Sequence, residues 1–183
     1  MKEEKKSSFF ELVQKRVSCR SYTEKQLSEE DIKLILESAR LAPSACNKQP
    51  WRFAVVRDKE VKTKLIKEGC IWGINMDWAI KAAIIIVLGM KKSLITHKIA
   101  PQISKIDYSL IDMGIVGEHI VLQATELGLG TCWIGWIKPD KIRKIVSWEK
   151  DIKPVSLITI GYPSDDSTKP KQRFPLEELV KVL

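Results

Sequence analysis

Pro43-Ser44-Ala45-Cys46-Asn47-Lys48-Gln49-Pro50-Trp51 joins a segment with helical spacing to one with strand alternation. Upstream, Ile32, Ile35, Leu36 and Ala39 recur at helical intervals behind Ser28, a residue type that caps helices by accepting a backbone N–H, with Asp31 at the capping-box position. Pro43 stops that helix, having no N–H to give it. Downstream, Trp51, Phe53 and Val55 alternate with Arg52, Ala54 and Val56, the period of a strand. A short rigid connection holding Ser44, Asn47 and Gln49 can aim several neutral donors and acceptors at a planar polar ligand such as a flavin or a nucleobase. The same residue types also build a plain polar turn with an Asx cap, and the stretch alone does not choose between the two.

Outward from this point, helix and strand signals continue to alternate. Asp58 to Glu68 has a polar helix pattern closed by Gly69, and Ala82 to Leu88 is an apolar run ended by Gly89, as expected of a central buried strand. Tyr108 to Leu127 predicts the longest helix, about 30 Å at 1.5 Å per residue. It is apolar on more than one side through Leu110, Ile111, Ile115, Val116, Ile120, Val121 and Leu122, which places it centrally or at a subunit interface. Gly114 and Gly117 cost helix propensity, so close approach of another backbone or a ligand is expected there. Gly128 and Gly130 lead into a short strand from Thr131 to Ile134, Pro139 opens a helix carrying Ile142, Ile145 and Val146, and Val155 to Ile160 forms a last core strand before Gly161-Tyr162-Pro163. No repeat or Gly/Ser linker interrupts this order, so the 183 residues, 44% of them apolar, read as one domain over 1–183.

Composition narrows the function. The formal charge of +8 comes from 31 basic and 23 acidic side chains interleaved along the helices. That is the pattern of solvated faces, with no recognisable nucleic-acid module. What remains is a field favouring small anions such as phosphates and nicotinamide dinucleotides. Lys169, Lys171 and Arg173, set among Pro170 and Pro175, form a local basic excess that is either functional or a soluble tail. No apolar run is long enough for a membrane span, and Met1 to Lys6 lacks the apolar centre of a secretion signal, so a cytoplasmic protein is expected. Cys19, Cys46, Cys70 and Cys132 form no Cys-x-x-Cys clip and read as buried free thiols, and with His97 and His119 as the only histidines no metal site is expected. Gly-x-Gly-x-x-Gly and Gly-Lys-Ser/Thr are both absent, so a nucleotide would have to be held another way.

Three separated patterns supply that other way. The first is Arg16-Val17-Ser18-Cys19-Arg20-Ser21-Tyr22, and the second is Ala42-Pro43-Ser44 through Asn47, Gln49, Pro50 and Trp51. The third runs from Gly128-Leu129-Gly130-Thr131-Cys132-Trp133-Ile134-Gly135 through Gly161-Tyr162-Pro163 to Lys171-Gln172-Arg173. In this order they resemble the FMN-dependent nitroreductase family over nearly the whole chain. The resemblance implies an α+β fold, a three-layer α-β-α sandwich with a mixed, mainly antiparallel central sheet. It also implies a homodimer with one non-covalent FMN in each of two clefts between subunits.

By position, the resemblance makes Arg16, Lys171 and Arg173 the holders of the FMN phosphate, with Val17 and Ser18 in the same run. The chemistry agrees, since a dianion without a P-loop needs cations and arginine's planar fork can grip two oxygens. The resemblance also implies that Pro43, Ser44 and Asn47 come from the opposite subunit to the phosphate groups, with Gln49 a further cofactor-binding residue of the same stretch. Arg20 falls near the pyrimidine edge of the ring, a surface salt bridge being its alternative, and Asn75 reads the same edge. Trp133, Ile134 and Gly135 lie against the ring near its reactive nitrogen, where a backbone N–H can bond and a glycine admits close approach. The implied activity passes a hydride from NAD(P)H to flat electron-poor acceptors such as nitroaromatics, quinones or flavins by a ping-pong route, with no catalytic side chain required. A specialised reaction such as reductive dehalogenation or flavin-ring fragmentation, for which only Lys91 to Asp107 could serve as a lid, and a non-catalytic flavin carrier or sensor are the alternatives. Trp72, Trp78 and Trp136 either line an aromatic cleft or pack an interface.

Overall fold

The computed structural model describes residues 8–91, 105–164 and 171–183; Met1 to Lys6, His97, most of the expected lid stretch, Lys169 and Pro170 lie outside the described residues. In chain order these residues form α1 (Ser8–Lys15), α2 (Glu29–Arg40), a 3-10 turn (Ala45–Asn47), β1 (Trp51–Val56), α3 (Lys59–Lys67), a second 3-10 turn (Asp77–Lys81), β2 (Ile84–Lys91), α4 (Tyr108–Glu126), β3 (Gly130–Ile134), α5 (Pro139–Ile145), β4 (Ile152–Gly161) and α6 (Leu176–Leu179).

The architecture follows from β2. Successive side chains of a strand point to opposite faces, so a strand apolar at nearly every position must be covered twice. Ile84, Ile86, Leu88 and Met90 join a core with Ile32, Ile35 and Ala39 of α2 and Met113, Val116 and Ile120 of α4. Ile85 and Val87 face the other way, into a core with Leu65 and Ile66 of α3 and Ile142 of α5. The chain is therefore a three-layer α-β-α sandwich. Its sheet has the order β1-β2-β4-β3, and each neighbouring pair is antiparallel. The expected mixed character is confined to one parallel bridge, Ser18 to Thr131, on the outer side of β3.

Helix starts are chemically explicit. Ser28 Oγ accepts the Asp31 N–H at 3.0 Å, Asp58 accepts the Val61 N–H at 2.9 Å, and Asp107 accepts the Ser109 N–H at 3.1 Å. Expected strand boundaries shift, and the central strand begins at Ile84 rather than Ala82. Gly89 does not end the central strand, which continues to Lys91. The register slips there, with Leu88 opposite Ser156 and Gly89 opposite Pro154, so β4 begins at Ile152 rather than Val155 and carries its proline at a bulge, where a ladder N–H is dispensable. Gly89 is small for a packing reason, since a Cβ there would lie 2.2 Å from Cζ3 of Trp148.

The two helix glycines of α4 have different settings. A Cβ on Gly117 would lie 2.0 Å from Cη2 of Trp133, so the close approach expected there is made by an indole of the same chain. Gly114 faces open space, beside the exposed Leu110 and Ile111. No helix among the described residues is long and apolar enough to cross a membrane.

Candidate functional site

The helix-to-strand connection is a compact, hydrogen-bonded loop. Ser44 is extended (φ −145°, ψ 158°), and the chain then turns through Cys46, Asn47 and Gln49 at φ of 49°, 51° and 45°. Ser44 Oγ accepts the Gln49 N–H at 2.9 Å, while Gln49 Nε2 donates to Asn47 Oδ1 at 3.0 Å. The three polar residues singled out in the sequence are thus locked to one another. Pro43, Asn47 and Gln49 are exposed and Ser44 is half-buried. The loop is also tied to α4, because the Ala45 N–H donates to Asp112 Oδ1 at 2.9 Å.

At a second place the chain gathers cations. Arg16 follows the end of α1, and with Lys171, Arg173, Val13, Gln14 and Glu118 it lines an open cavity of about 690 Å³. Residues more than 150 positions apart in sequence therefore meet, and Lys171 Nζ donates to the Val13 carbonyl. Partial burial, then the neighbouring charges of Arg16 and Arg173, lowers the Lys171 ammonium from its ordinary value, with Glu118 acting in the opposite sense. No residue of the 43–49 loop lines this cavity.

The amino-terminal run is stitched to the carboxy-terminal half. Ser18 bridges Thr131, the Cys19 N–H donates to the Thr131 carbonyl at 2.8 Å, and the Thr23 N–H donates to the Tyr162 carbonyl at 2.9 Å. Tyr22 is buried between them, its hydroxyl donating to the Cys19 carbonyl at 2.9 Å and bonding Thr159 Oγ1 at 2.7 Å. Burial holds that phenol far above its usual range, so it stays protonated. Gly161 is required by this joint, where a Cβ would meet the Ala83 nitrogen and Tyr22 Cδ1 at 2.9 Å.

Around β3, Ile134 is buried and its side chain belongs to the core, which leaves only its backbone for a ligand. Trp133 rests on Gly117, and Val17 is half-buried. Among the described residues nothing comes within 4 Å of a Cβ built on Gly135, so their packing does not demand the glycine. Arg20 lies over the Trp78 ring at 6.0 Å from its centroid, and Trp78 in turn lies 6.4 Å from Tyr22. Asn75, three residues before that tryptophan, is exposed and accepts the Asp77 N–H at 3.0 Å. Trp78 is packing. Trp72 and Trp136 are exposed and are joined through the Ile71 N–H, which donates to the Trp136 carbonyl at 3.0 Å. Of the thiols, Cys70 and Cys132 are buried as expected, burial pushing Cys70 up to about 11, whereas Cys19 is only half-buried and Cys46 is exposed on the loop.

The nitroreductase family model matches residues 13–69 and 70–162 of the chain. The chain belongs to the nitroreductase family. It is 34% identical over 161 residues to a protein of Archaeoglobus fulgidus named putative NADH dehydrogenase/NAD(P)H nitroreductase, covering 85% of each. Among solved structures, a nitroreductase family protein from Clostridium difficile 630 superposes with a TM-score of 0.80 at 32% identity, covering 96% of this chain and 98% of the other. An FMN-dependent nitroreductase from Clostridium difficile R20291 gives a TM-score of 0.73 at 28% identity, covering 91% and 92%.

Within this nitroreductase fold, Asp112 and Glu118 are the site-region residues that the sequence reading missed. Both were visible as the two carboxylates that interrupt the apolar stretch from Leu110 to Val121. Asp112 is buried, and an acid at a buried helix position signals a bonded partner because burying it unpaired is costly, whereas Glu118 is exposed and carries no such signal.

Proposed function

We propose that the chain is an FMN-dependent oxidoreductase that passes a hydride from NAD(P)H to flat, electron-poor acceptors such as nitroaromatics, quinones or free flavins, as a homodimer. The observation that carries this is the meeting of Arg16, Lys171 and Arg173 on one cavity. Among the described residues, Arg16, Lys171 and Arg173 share this cavity with one carboxylate, Glu118, so cations predominate there as a phosphate dianion requires, and an anion would offset the repulsion from Arg16 and Arg173 that adds to burial in lowering Lys171. The residues present fit the phosphate of FMN. Bound FMN would supply the ring that takes a hydride from NAD(P)H and returns it to the acceptor, so both substrates would use one cleft in turn.

The chain's own residues bind and orient. Arg16, Lys171 and Arg173 would hold the phosphate, with Val17 and Ser18 adjoining. Ser44, Asn47 and Gln49, with Pro43, would cradle the ring, Arg20 and Asn75 its pyrimidine edge, and the backbone of Trp133, Ile134 and Gly135 its reactive side. Asp112 and Glu118 lie six residues apart on α4, which at 3.6 residues per turn is about 120° around the helix. The cradle anchor and the phosphate cavity are thus on different sides of α4, an arrangement that suits a site completed by a second subunit. Purification tests the proposal, with flavin absorbance bands and rapid bleaching by NADH or NADPH in stopped flow expected. A colourless protein that takes up no added FMN would overturn it, and a yellow one that NAD(P)H leaves oxidised would be a carrier.

A further inference from the structure

The 43–49 loop holds a conformation that its own residues do not favour. Cys46, Asn47 and Gln49 all sit in the left-handed region; asparagine enters it readily, but Cys46 and Gln49 each put a Cβ close to a carbonyl oxygen. Such a turn persists only where its surroundings impose it. The bonds from Gln49 to Ser44 and Asn47 lie within the loop and cannot fix it against the rest of the protein. The Ala45 N–H does, through its bond to Asp112 Oδ1. Asp112 is 2% exposed, beside Met113 on α4. A charge-assisted bond from a backbone N–H is stronger than a neutral one, and a buried carboxylate holds its place firmly.

We infer that Asp112 is the positioning residue of the flavin cradle, acting through the Ala45 N–H to fix where Ser44, Asn47 and Gln49 stand without itself touching the ligand. This rests on the flavin reading of the site. Because the phosphate cavity lies on another side of α4, Asp112 governs ring binding and leaves the phosphate contribution alone.

Titrations of FMN and riboflavin into Asp112→Ala, Asp112→Asn, Ala45→Pro and the Asp112→Ala/Ala45→Pro double variant test this. Ala45→Pro removes the donor but also sets a ring methylene against Asp112 Oδ1, so it is read together with the double variant, in which that carboxylate is gone, and the extended backbone of Ser44 is one that a following proline accepts. Asp112→Ala should weaken FMN and riboflavin by the same factor, about tenfold, or about 1.4 kcal/mol, and should shift the flavin potential. Asp112→Asn, which keeps an acceptor oxygen, should recover most of the loss. Ala45→Pro should reproduce it, and the double variant should be no worse than either single one. Parental affinity in Asp112→Ala, a loss confined to FMN, or additive losses in the double variant would each overturn the role. Should Asp112→Ala fail to fold, parental flavin affinity in Ala45→Pro would overturn it equally. A parent that binds neither flavin refutes the flavin reading and this role together, whereas a yellow parent with an unaffected Asp112→Ala refutes only the role.

Discussion

Arg16 and Arg173 allow the phosphate assignment to be tested one side chain at a time. Each would contribute a charge-assisted contact of roughly 1.5 to 3 kcal/mol, so Arg16→Ala or Arg173→Ala should weaken FMN about ten- to a hundredfold. Riboflavin has no phosphate and should bind the variants as it binds the parent. Equal losses for both flavins would show that these arginines are structural. Arg20 calls for a different readout, because its guanidinium already lies over Trp78. If it faces the ring edge where negative charge collects on reduction, it favours the reduced state selectively. Arg20→Gln should then lower the potential by a few tens of millivolts, with about 30 mV equivalent to 1.4 kcal/mol for two electrons, while oxidised FMN still binds. An unchanged potential at full FMN occupancy, measured by spectroelectrochemistry, would leave Arg20 with only its tryptophan contact.

At the scale of elements, the contact between α4 and β3 is the tightest constraint on the strand that leads to Gly135. Gly117→Ala places a methyl inside the Trp133 ring position and should cost about 1 to 3 kcal/mol by overpacking, read as a lower denaturation midpoint. Gly114→Ala is its counterpart. In open space it should stabilise the isolated helix by about 1 kcal/mol, but where a second subunit packs on α4 it should instead loosen the dimer, which dilution experiments detect. The elements themselves were largely legible, since α2, β1, α3 and α4 announce themselves through periodicity and caps such as Ser28 and Asp58. Gly89 was not, because a glycine that ends a strand and one that admits an indole over a bulge look alike in sequence. The pairing of Ser18 with Thr131 and of Tyr22 with Pro163 was equally hidden, as no local pattern encodes a contact between segments so distant. The candidate site residues were singled out because their motifs match a family pattern. Asp112 was passed over because a count of apolar positions ignores the acid between them.

For the whole molecule, the surface shows what a single chain leaves uncovered. Phe174 is 73% exposed and Leu179 66%, and Leu176, Val180, Val182 and Leu183 are exposed with them. On α1, Phe9 and Phe10 are likewise uncovered, as are Leu110 and Ile111 on α4. Soluble monomers rarely present large apolar patches, and a symmetric pair can bury side chains such as these. The protein should therefore run as a homodimer in light scattering, with one FMN per subunit by absorbance. Deleting residues 174–183 separates the two roles of this end of the chain, because Lys171 and Arg173 remain in place. If the apolar tail grips a second subunit, the shortened protein should dissociate at concentrations where the parent is dimeric. It should also lose FMN although every phosphate contact survives, because the ring cradle would come from the other subunit. A monomeric truncation that kept stoichiometric FMN would place cradle and cations around one flavin within a single chain, and the shared site would have to be abandoned.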